Sequence, residues 1–223
     1  MIRAPRLSLA ALQPLGRALM LPIAVLPAAS LMLRLGQPDL GFLPGMHAVG
    51  PLIAAAGDAI FSNLGLLFAI GVAVGLARGG DGAAGLAGAV CFLVATNGAQ
   101  ALIHVPPEAM AGFTDKSAAL ASAAFKSAAL GKLGVPIGIV SGLVGGGAFN
   151  RFGGIRLPEY LAFFGGRRFA PILSGFAGLG LALAVGLGWT HVDHAMDAFS
   201  RGIVTAGPIG LFAVFELGLL DIK

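Results

Sequence analysis

The stretch "RLPEYLAFFGGRRFAPI", residues 156–172, places three arginines beside aromatic side chains in a chain that carries little charge. A guanidinium is planar and permanently charged, so it suits phosphate groups and carboxylates. Arg156, Arg167 and Arg168 are therefore candidates for binding an anionic lipid headgroup or for docking a cytoplasmic partner domain. The alternative is that they only anchor the chain at a membrane surface. The sequence leaves both interpretations open.

Other residues that could carry chemistry are scattered. His191 and His194 stand near two acidic residues and imitate a metal site, but a solvated loop is the simpler interpretation of "THVDHAMDAFSR". The single cysteine, Cys91, lies in an apolar run, which predicts a buried thiol and excludes an internal disulfide. No serine–histidine–acid or paired-carboxylate pattern is present. We therefore predict no catalytic residue, no metal site and no cofactor, and the substrate-binding residues stay unknown.

Glycines recur at four-residue spacing in two apolar stretches: Gly138, Gly142 and Gly146 in one, Gly71 and Gly75 in the other. Such small-xxx-small spacing lets helix backbones approach closely. A phosphate-binding loop is the competing interpretation of "GLVGGGAFNR", but no Lys-Ser/Thr pair follows these glycines. We therefore predict helix packing.

A few polar side chains lie near the ends of apolar stretches. Asn63 and Asn97 are expected to form hydrogen bonds between helices. Asp58 and Glu216 are functional candidates because acids are costly inside a membrane, although a helix terminus or nearby water would account for both.

The elements that position these residues must be membrane helices. The chain has 223 residues, of which 57% are hydrophobic, 11% are charged and 36 are glycine. A soluble domain has about a quarter charged residues, and the mean hydropathy here is +0.91. The net charge of +4 is spread among apolar spans, which favours topology signals over nucleic-acid binding. The sequence thus predicts an all-α, multi-pass membrane protein with interfacial helices and about five to six spans.

The predicted spans follow from apolar length, since a crossing needs about 20 residues. They cover residues 18–35, 59–77, 83–103, 135–149, 169–189 and 203–220. Between them we predict a re-entrant or interfacial piece at 46–56, a polar loop with a short helix at 104–134, and a polar-aromatic connector at 150–168.

Lysines and arginines predict the orientation, because they accumulate on the cytoplasmic side. With a cytoplasmic N-terminus and alternating spans, the inside receives nine of the fourteen, and the outside receives the five at positions 34, 116, 126, 132 and 201. The inner set is Arg3, Arg6, Arg17, Arg78, Arg151, Arg156, Arg167, Arg168 and Lys223. We expect a protein of the cell (inner) membrane with its N-terminus in the cytoplasm.

Several motifs resemble those of one transporter family. They are "LGRALMLPIAVLPAA" from Leu15, "LRLGQPDL" from Leu33, "FAIGVAVG" from Phe68 and "IRLPEYLAFFGGRRFAPI" from Ile155. Together they are similar to enzyme IIC, the membrane component of the sugar phosphotransferase system, in its glucose and N-acetylglucosamine branch. "GQPDL" resembles the N-acetylglucosamine members most, and the likeness extends over residues 12 to about 210.

The resemblance implies a component that couples sugar uptake to phosphorylation. The phosphoryl group would come from phosphoenolpyruvate through a cysteine on a cytoplasmic IIB domain, and the membrane part would be a homodimer. The expected partners are thus the membrane, a IIB domain or protein, the sugar and a second copy. Whether the chain takes part in catalysis stays open, because the motifs carry over no catalytic residue.

The family's sugar site depends on a Gly-Leu-His motif and a later Thr-Glu-Pro motif, and neither occurs here. We therefore expect residues 1–223 to be the N-terminal scaffold and dimerisation part of the domain, a truncated, frameshifted or fragmentary product without the sugar-binding half and the IIB domain. By itself it would neither bind nor phosphorylate sugar. A glucose-specific component, a non-transporting membrane scaffold and an unrelated channel or carrier are the alternatives.

Overall fold

A computed structural model describes residues 9–40, 45–105 and 115–189, and the regular elements in these ranges are helices. The α-helices are α1 (Leu9–Leu35), α2 (Met46–Ser62), α3 (Leu64–Leu76), α4 (Gly82–Leu102), α5 (Asp115–Phe152) and α6 (169–189). Short 3₁₀ helices cover Pro38–Leu40, Glu159–Phe164 and Gly166–Arg168. The predicted all-α class is confirmed.

The helices are long and apolar enough to cross a membrane. Within the described ranges four helices qualify, or up to five if the bent pair α2–α3 counts as one span. Large apolar side chains such as Met20, Leu52 and Leu187 are exposed on the outside, where hydrocarbon rather than water is the favourable neighbour. The predicted sixth span, 203–220, lies outside the described residues.

The second predicted span is wrong as a single straight helix. Its residues belong to α2 and α3, which meet at a bend of 56°. Asn63 forms the break: its backbone is non-helical (φ −106°, ψ 17°), and its side-chain amide donates to the carbonyl of Ala59 at 2.8 Å. A short polar side chain that bonds its own backbone favours such a helix end. The piece predicted at 46–56 is accordingly the first part of α2.

The predicted polar loop at 104–134 is also wrong from residue 115 onward. Residues 115–152 form one helix of 38 residues. The segment 117–130 contains mainly alanine, with serine, leucine, one lysine and one phenylalanine, and it has no glycine or proline. These residues favour or tolerate a helix, so the serines and the lysine do not interrupt it. The fourth predicted span is only the last part of α5.

Helix α3 is the centre of the described structure. It contacts α1, α4 and α5, and its residues Ala69, Val72 and Ala73 are fully buried. Its sequence "LGLLFAIGVAVGL" is apolar on every side, as expected for a helix surrounded by other helices. This central position explains why α3 has glycine or alanine at points where neighbouring helices approach it closely.

The helices have two ends that differ in character. At one end α3 passes into α4 through a short turn, and α5 ends near the start of α6. We call this the connector end, and the opposite one the far end. A hydrophobic cluster at the far end joins α4, α5 and α6, and it consists of Ala95, Ala99, Ile103, Ala129, Leu130, Ile137 and Trp189. Two hydrogen bonds of Asn150 and the ion pair between Asp81 and Arg167 tie different elements together at the connector end.

Candidate functional site

The turn between α3 and α4 is fastened to the end of α5. Asn150, near the end of α5, accepts a hydrogen bond from the backbone N–H of Arg78 at 2.8 Å and donates one to the carbonyl of Leu76 at 2.9 Å. One amide side chain therefore satisfies a donor and an acceptor where α3 ends. The turn itself needs glycine, because Gly79 and Gly80 have φ values of +88° and +63°.

Asp81 performs two tasks in the same turn. Its Oδ1 accepts a hydrogen bond from the N–H of Ala83 at 2.9 Å, which caps the start of α4. Its Oδ2 lies 2.7 Å from Nη1 of Arg167. The carboxylate side chain is 17% exposed, whereas that of Arg167 is 74% exposed. The ion pair thus fixes the segment before α6 to the start of α4.

The connector, predicted at 150–168, occupies residues 153–168 between α5 and α6, because residues 150–152 belong to α5. It folds back on itself, because the N–H of Gly166 donates to the carbonyl of Ile155 at 2.9 Å. Gly166 adopts φ +66° there, a left-handed conformation that glycine allows. The rings of Phe152 and Phe169 pack edge to face with centroids 6.3 Å apart. These contacts hold both ends of the connector close together.

The middle of the connector presents aromatic rings outward. Tyr160 is 82% exposed and Phe163 is 71% exposed, and the 3₁₀ helix Glu159–Phe164 contains no buried residue. The guanidinium of Arg168 lies 4.8 Å from the ring centroid of Phe163, and its Nη1 lies 3.4 Å from the Phe163 carbonyl. This is a cation–π contact at a surface.

The three arginines singled out in the sequence lie together at the connector end but in different surroundings. Arg167 pairs with Asp81, Arg168 lies over Phe163, and Arg156 is exposed beside the Ile155–Gly166 contact. Sequence reasoning missed Asp81 and Asn150 as their supports. An aspartate before "GAAG" is a helix-cap signal, whereas Asn150 carries no signal in a single sequence.

The glycines that were predicted to pack helices lie where backbones meet. A β-carbon at Gly138 would overlap the carbonyl oxygen of Gly65 in α3. A β-carbon would come within 2.6 Å of Val72 at Gly142 and within 3.0 Å of Ala73 at Gly146. Gly71 and Gly75 lie on the other side of α3, against α1. A β-carbon at Gly71 would come within 2.8 Å of Pro22, and one at Gly75 within 2.6 Å of Ala18.

The remaining polar candidates do not assemble a reactive site in the described ranges. The amides of Asn63 and Asn97 donate to carbonyls in their own helices, not across helices as expected. Cys91 is buried, and the hydroxyls of Ser141 and Ser174 are fully buried. Among described residues no group of three His, Cys, Asp or Glu could hold a metal ion. His191 and His194 lie outside the described residues.

Comparisons with known proteins find a matching family model and similar sequences. The family model described as "Phosphotransferase system, EIIC" matches residues 16–220. The "PTS system N-acetylglucosamine-specific EIICBA component" of Escherichia coli (strain K12) is 46% identical over 198 residues, which is 89% of this chain and 26% of that protein. Its counterpart in Klebsiella pneumoniae is 45% identical over the same shares.

A glucose-specific relative is less similar. The "PTS system glucose-specific EIICBA component" of Staphylococcus saprophyticus is 37% identical over 226 residues, which is 94% of this chain and 31% of that protein. The chain thus spans about a quarter to a third of the length of these curated relatives.

Proposed function

This chain belongs to the phosphotransferase system EIIC family, whose model matches residues 16–220, and we propose that it forms the membrane part of a permease for N-acetylglucosamine. In this proposal sugar uptake is coupled to phosphorylation by a cytoplasmic IIB domain or protein. The chain is a multi-pass membrane protein of this family; the sugar, the partner and the cytoplasmic N-terminus belong to the proposal.

We choose N-acetylglucosamine over glucose because the sequence identity is higher to relatives named for that sugar. The chain is 46% and 45% identical to two proteins named for N-acetylglucosamine, and 37% identical to one named for glucose. A glucose-specific component is therefore the second choice.

Within this function, the described helices would act as scaffold and dimerisation part. The support is the close packing of α1, α3 and α5 through glycine, alanine and proline. Among the described residues, the buried polar side chains are those of Ser141 and Ser174. A homodimer would use similar small-residue faces. The same packing favours the other candidate, a membrane scaffold that does not transport.

Two chimaeras distinguish these candidates. Residues 16–189 would replace the matched segment in the Escherichia coli relative and, separately, in the Staphylococcus saprophyticus relative. Formation of phosphorylated sugar from phosphoenolpyruvate, with the cytoplasmic phosphotransferase proteins supplied, is then measured for N-acetylglucosamine and for glucose. We expect the Escherichia coli chimaera to phosphorylate N-acetylglucosamine and the Staphylococcus saprophyticus chimaera to phosphorylate glucose much more slowly. The reason is that the inserted segment must pack against the rest of the protein that receives it.

The control is each parent protein expressed at the same membrane level. Equal or better activity of the glucose chimaera would reverse the choice of sugar. Two inactive chimaeras that still insert and self-associate would favour the non-transporting scaffold.

A further inference from the structure

The contacts at the connector end gather five arginines that are separated in sequence. Asn150 binds the backbone of Arg78, so Arg78 lies close to the next residue of α5, Arg151. The Ile155–Gly166 hydrogen bond places Arg156 beside the segment that carries Arg167 and Arg168. All five side chains are exposed. The fold therefore concentrates positive charge that the sequence spreads over 91 positions, 78–168.

Nearby acids offset only part of this charge. The described residues of the connector, of the α3–α4 turn and of the last turn of α5 contain two, Asp81 and Glu159. Five arginines against two carboxylates leave a formal charge of +3. Asp81 is committed to Arg167 and to the cap of α4. Arg167 is therefore a support that positions the connector, and Arg156 and Arg168 are the arginines that it presents.

The connector also lies at the boundary of the hydrocarbon layer. The last candidate span begins at Gly166 and the preceding one ends at Phe152, so the residues between them are bounded by two crossings. Exposed Tyr160 and Phe163 belong to this short segment. Aromatic rings and arginines side by side are typical of the headgroup region, where the rings enter the interface and the guanidinium groups meet phosphate.

We propose that Arg156 and Arg168, together with Tyr160 and Phe163, bind the headgroup of an anionic phospholipid. Arg168 is already held over the Phe163 ring, and a planar guanidinium in a fixed place can bind a phosphate through two hydrogen bonds. Arg78 and Arg151 extend the positive surface at its rim. A lipid is favoured over a docked protein because the rings lie at the membrane boundary and are exposed there. This inference is independent of which sugar the protein carries.

The test measures phospholipid binding to the purified full chain. Native mass spectrometry in detergent would follow titrations with phosphatidylglycerol and with phosphatidylcholine of the same acyl chains. We expect the unmodified chain to prefer phosphatidylglycerol. The R156A/R168A double variant should lose roughly fivefold in affinity for phosphatidylglycerol for each arginine removed, and its affinity for phosphatidylcholine should not change. R156K/R168K keeps the positive charges but loses the planar guanidinium groups with their paired N–H donors. It should therefore retain part of the preference for phosphatidylglycerol.

The matched control is R34A/K126A, which removes two positive charges toward the far end and should keep the preference. Circular dichroism and size-exclusion profiles must agree among the variants. Equal phosphatidylglycerol binding by R156A/R168A and the unmodified chain would overturn the proposal, as would an equal loss in the control. A titration with the IIB part of the Escherichia coli relative provides a further arm. If R156A/R168A weakens IIB binding and leaves lipid binding intact, the surface docks a protein instead.

Discussion

Asp81 shows how a single residue can serve two elements. One carboxylate oxygen caps α4 and the other holds Arg167 of the connector. The two roles have different chemical requirements, because an asparagine also caps a helix, but it has no charge to offer an arginine. Substitutions at this position can therefore separate local helix stability from attachment of the connector.

The first prediction separates these two roles. D81N should cost about as much unfolding free energy as R167A, up to about 1 kcal/mol, because the arginine end of the pair is exposed. D81A should cost about 1 kcal/mol more, since the cap is lost as well. The measurement is a denaturant titration in mixed micelles. The double variant D81N/R167A completes a double-mutant cycle, which isolates the energy of the ion pair. If the double variant loses the sum of both single losses, the ion pair contributes nothing.

At the scale of elements, the contact between α3 and α5 depends on glycines, because they have no side chain to hold the two backbones apart. Gly138, Gly142 and Gly146 face α3, whereas a β-carbon at Gly147 would meet no heavy atom within 4 Å. Of these four glycines in α5, three would bring an added methyl group against α3 and the fourth, Gly147, would not. Backbone proximity of this kind is a main source of attraction between helices in lipid.

The second prediction uses that difference. G138A should destabilise the protein by about 1–3 kcal/mol, because the new methyl group collides with the backbone of Gly65. G147A, the matched control, should be neutral or stabilise by up to about 1 kcal/mol through its better helix propensity. Thermal unfolding in detergent, followed by tryptophan fluorescence, provides the comparison. Similar losses in both variants would argue against the α3–α5 contact.

The helical class and most apolar stretches could be predicted from the sequence, because hydropathy reports whether a segment tolerates lipid. The bend at Asn63 could not, since the residues on both sides are apolar and one side-chain hydrogen bond decides the break. The length of α5 could not be predicted because serine and lysine lower the hydropathy of its first half without opposing a helix. The pairing of Asp81 with Arg167 depends on the whole arrangement of four elements, and a single sequence contains no sign of it.

For the molecule as a whole, the packing places at one end those predicted cytoplasmic arginines that the structure describes; Arg3 and Arg6 lie outside the described residues. α1 runs antiparallel to α3, since Gly75 meets Ala18 and Gly71 meets Pro22. Arg17 therefore lies at the connector end with Arg78 and Arg156. Helix α5, with 38 residues, is about 57 Å long, far beyond a hydrocarbon layer of about 30 Å. It must tilt strongly or extend past the far end.

The third prediction concerns orientation. In a C91A background, R78C and R156C should be protected from an impermeant maleimide in intact cells, because positively charged loops stay in the cytoplasm. H104C, at the far end, should react. Permeabilised cells provide the control in which all three sites must become labelled. Labelling at positions 78 and 156 with protection at 104 would invert the orientation.

The two hydrogen bonds between Asn150 and the end of α3 can form only late in synthesis. Asn150 is 74 residues beyond Leu76, its acceptor. A ribosome adding about 5–20 residues per second needs roughly 4–15 s to cover that distance. Throughout this interval α3 has α1 packed against Gly71 and Gly75 but lacks α5, whose glycines pack against its other side. With 13 residues, α3 is also too short to cross the bilayer alone. The nascent chain must therefore hold a half-built bundle in the membrane for seconds. Insertion factors and membrane proteases would compete for it during this time, before α5 arrives.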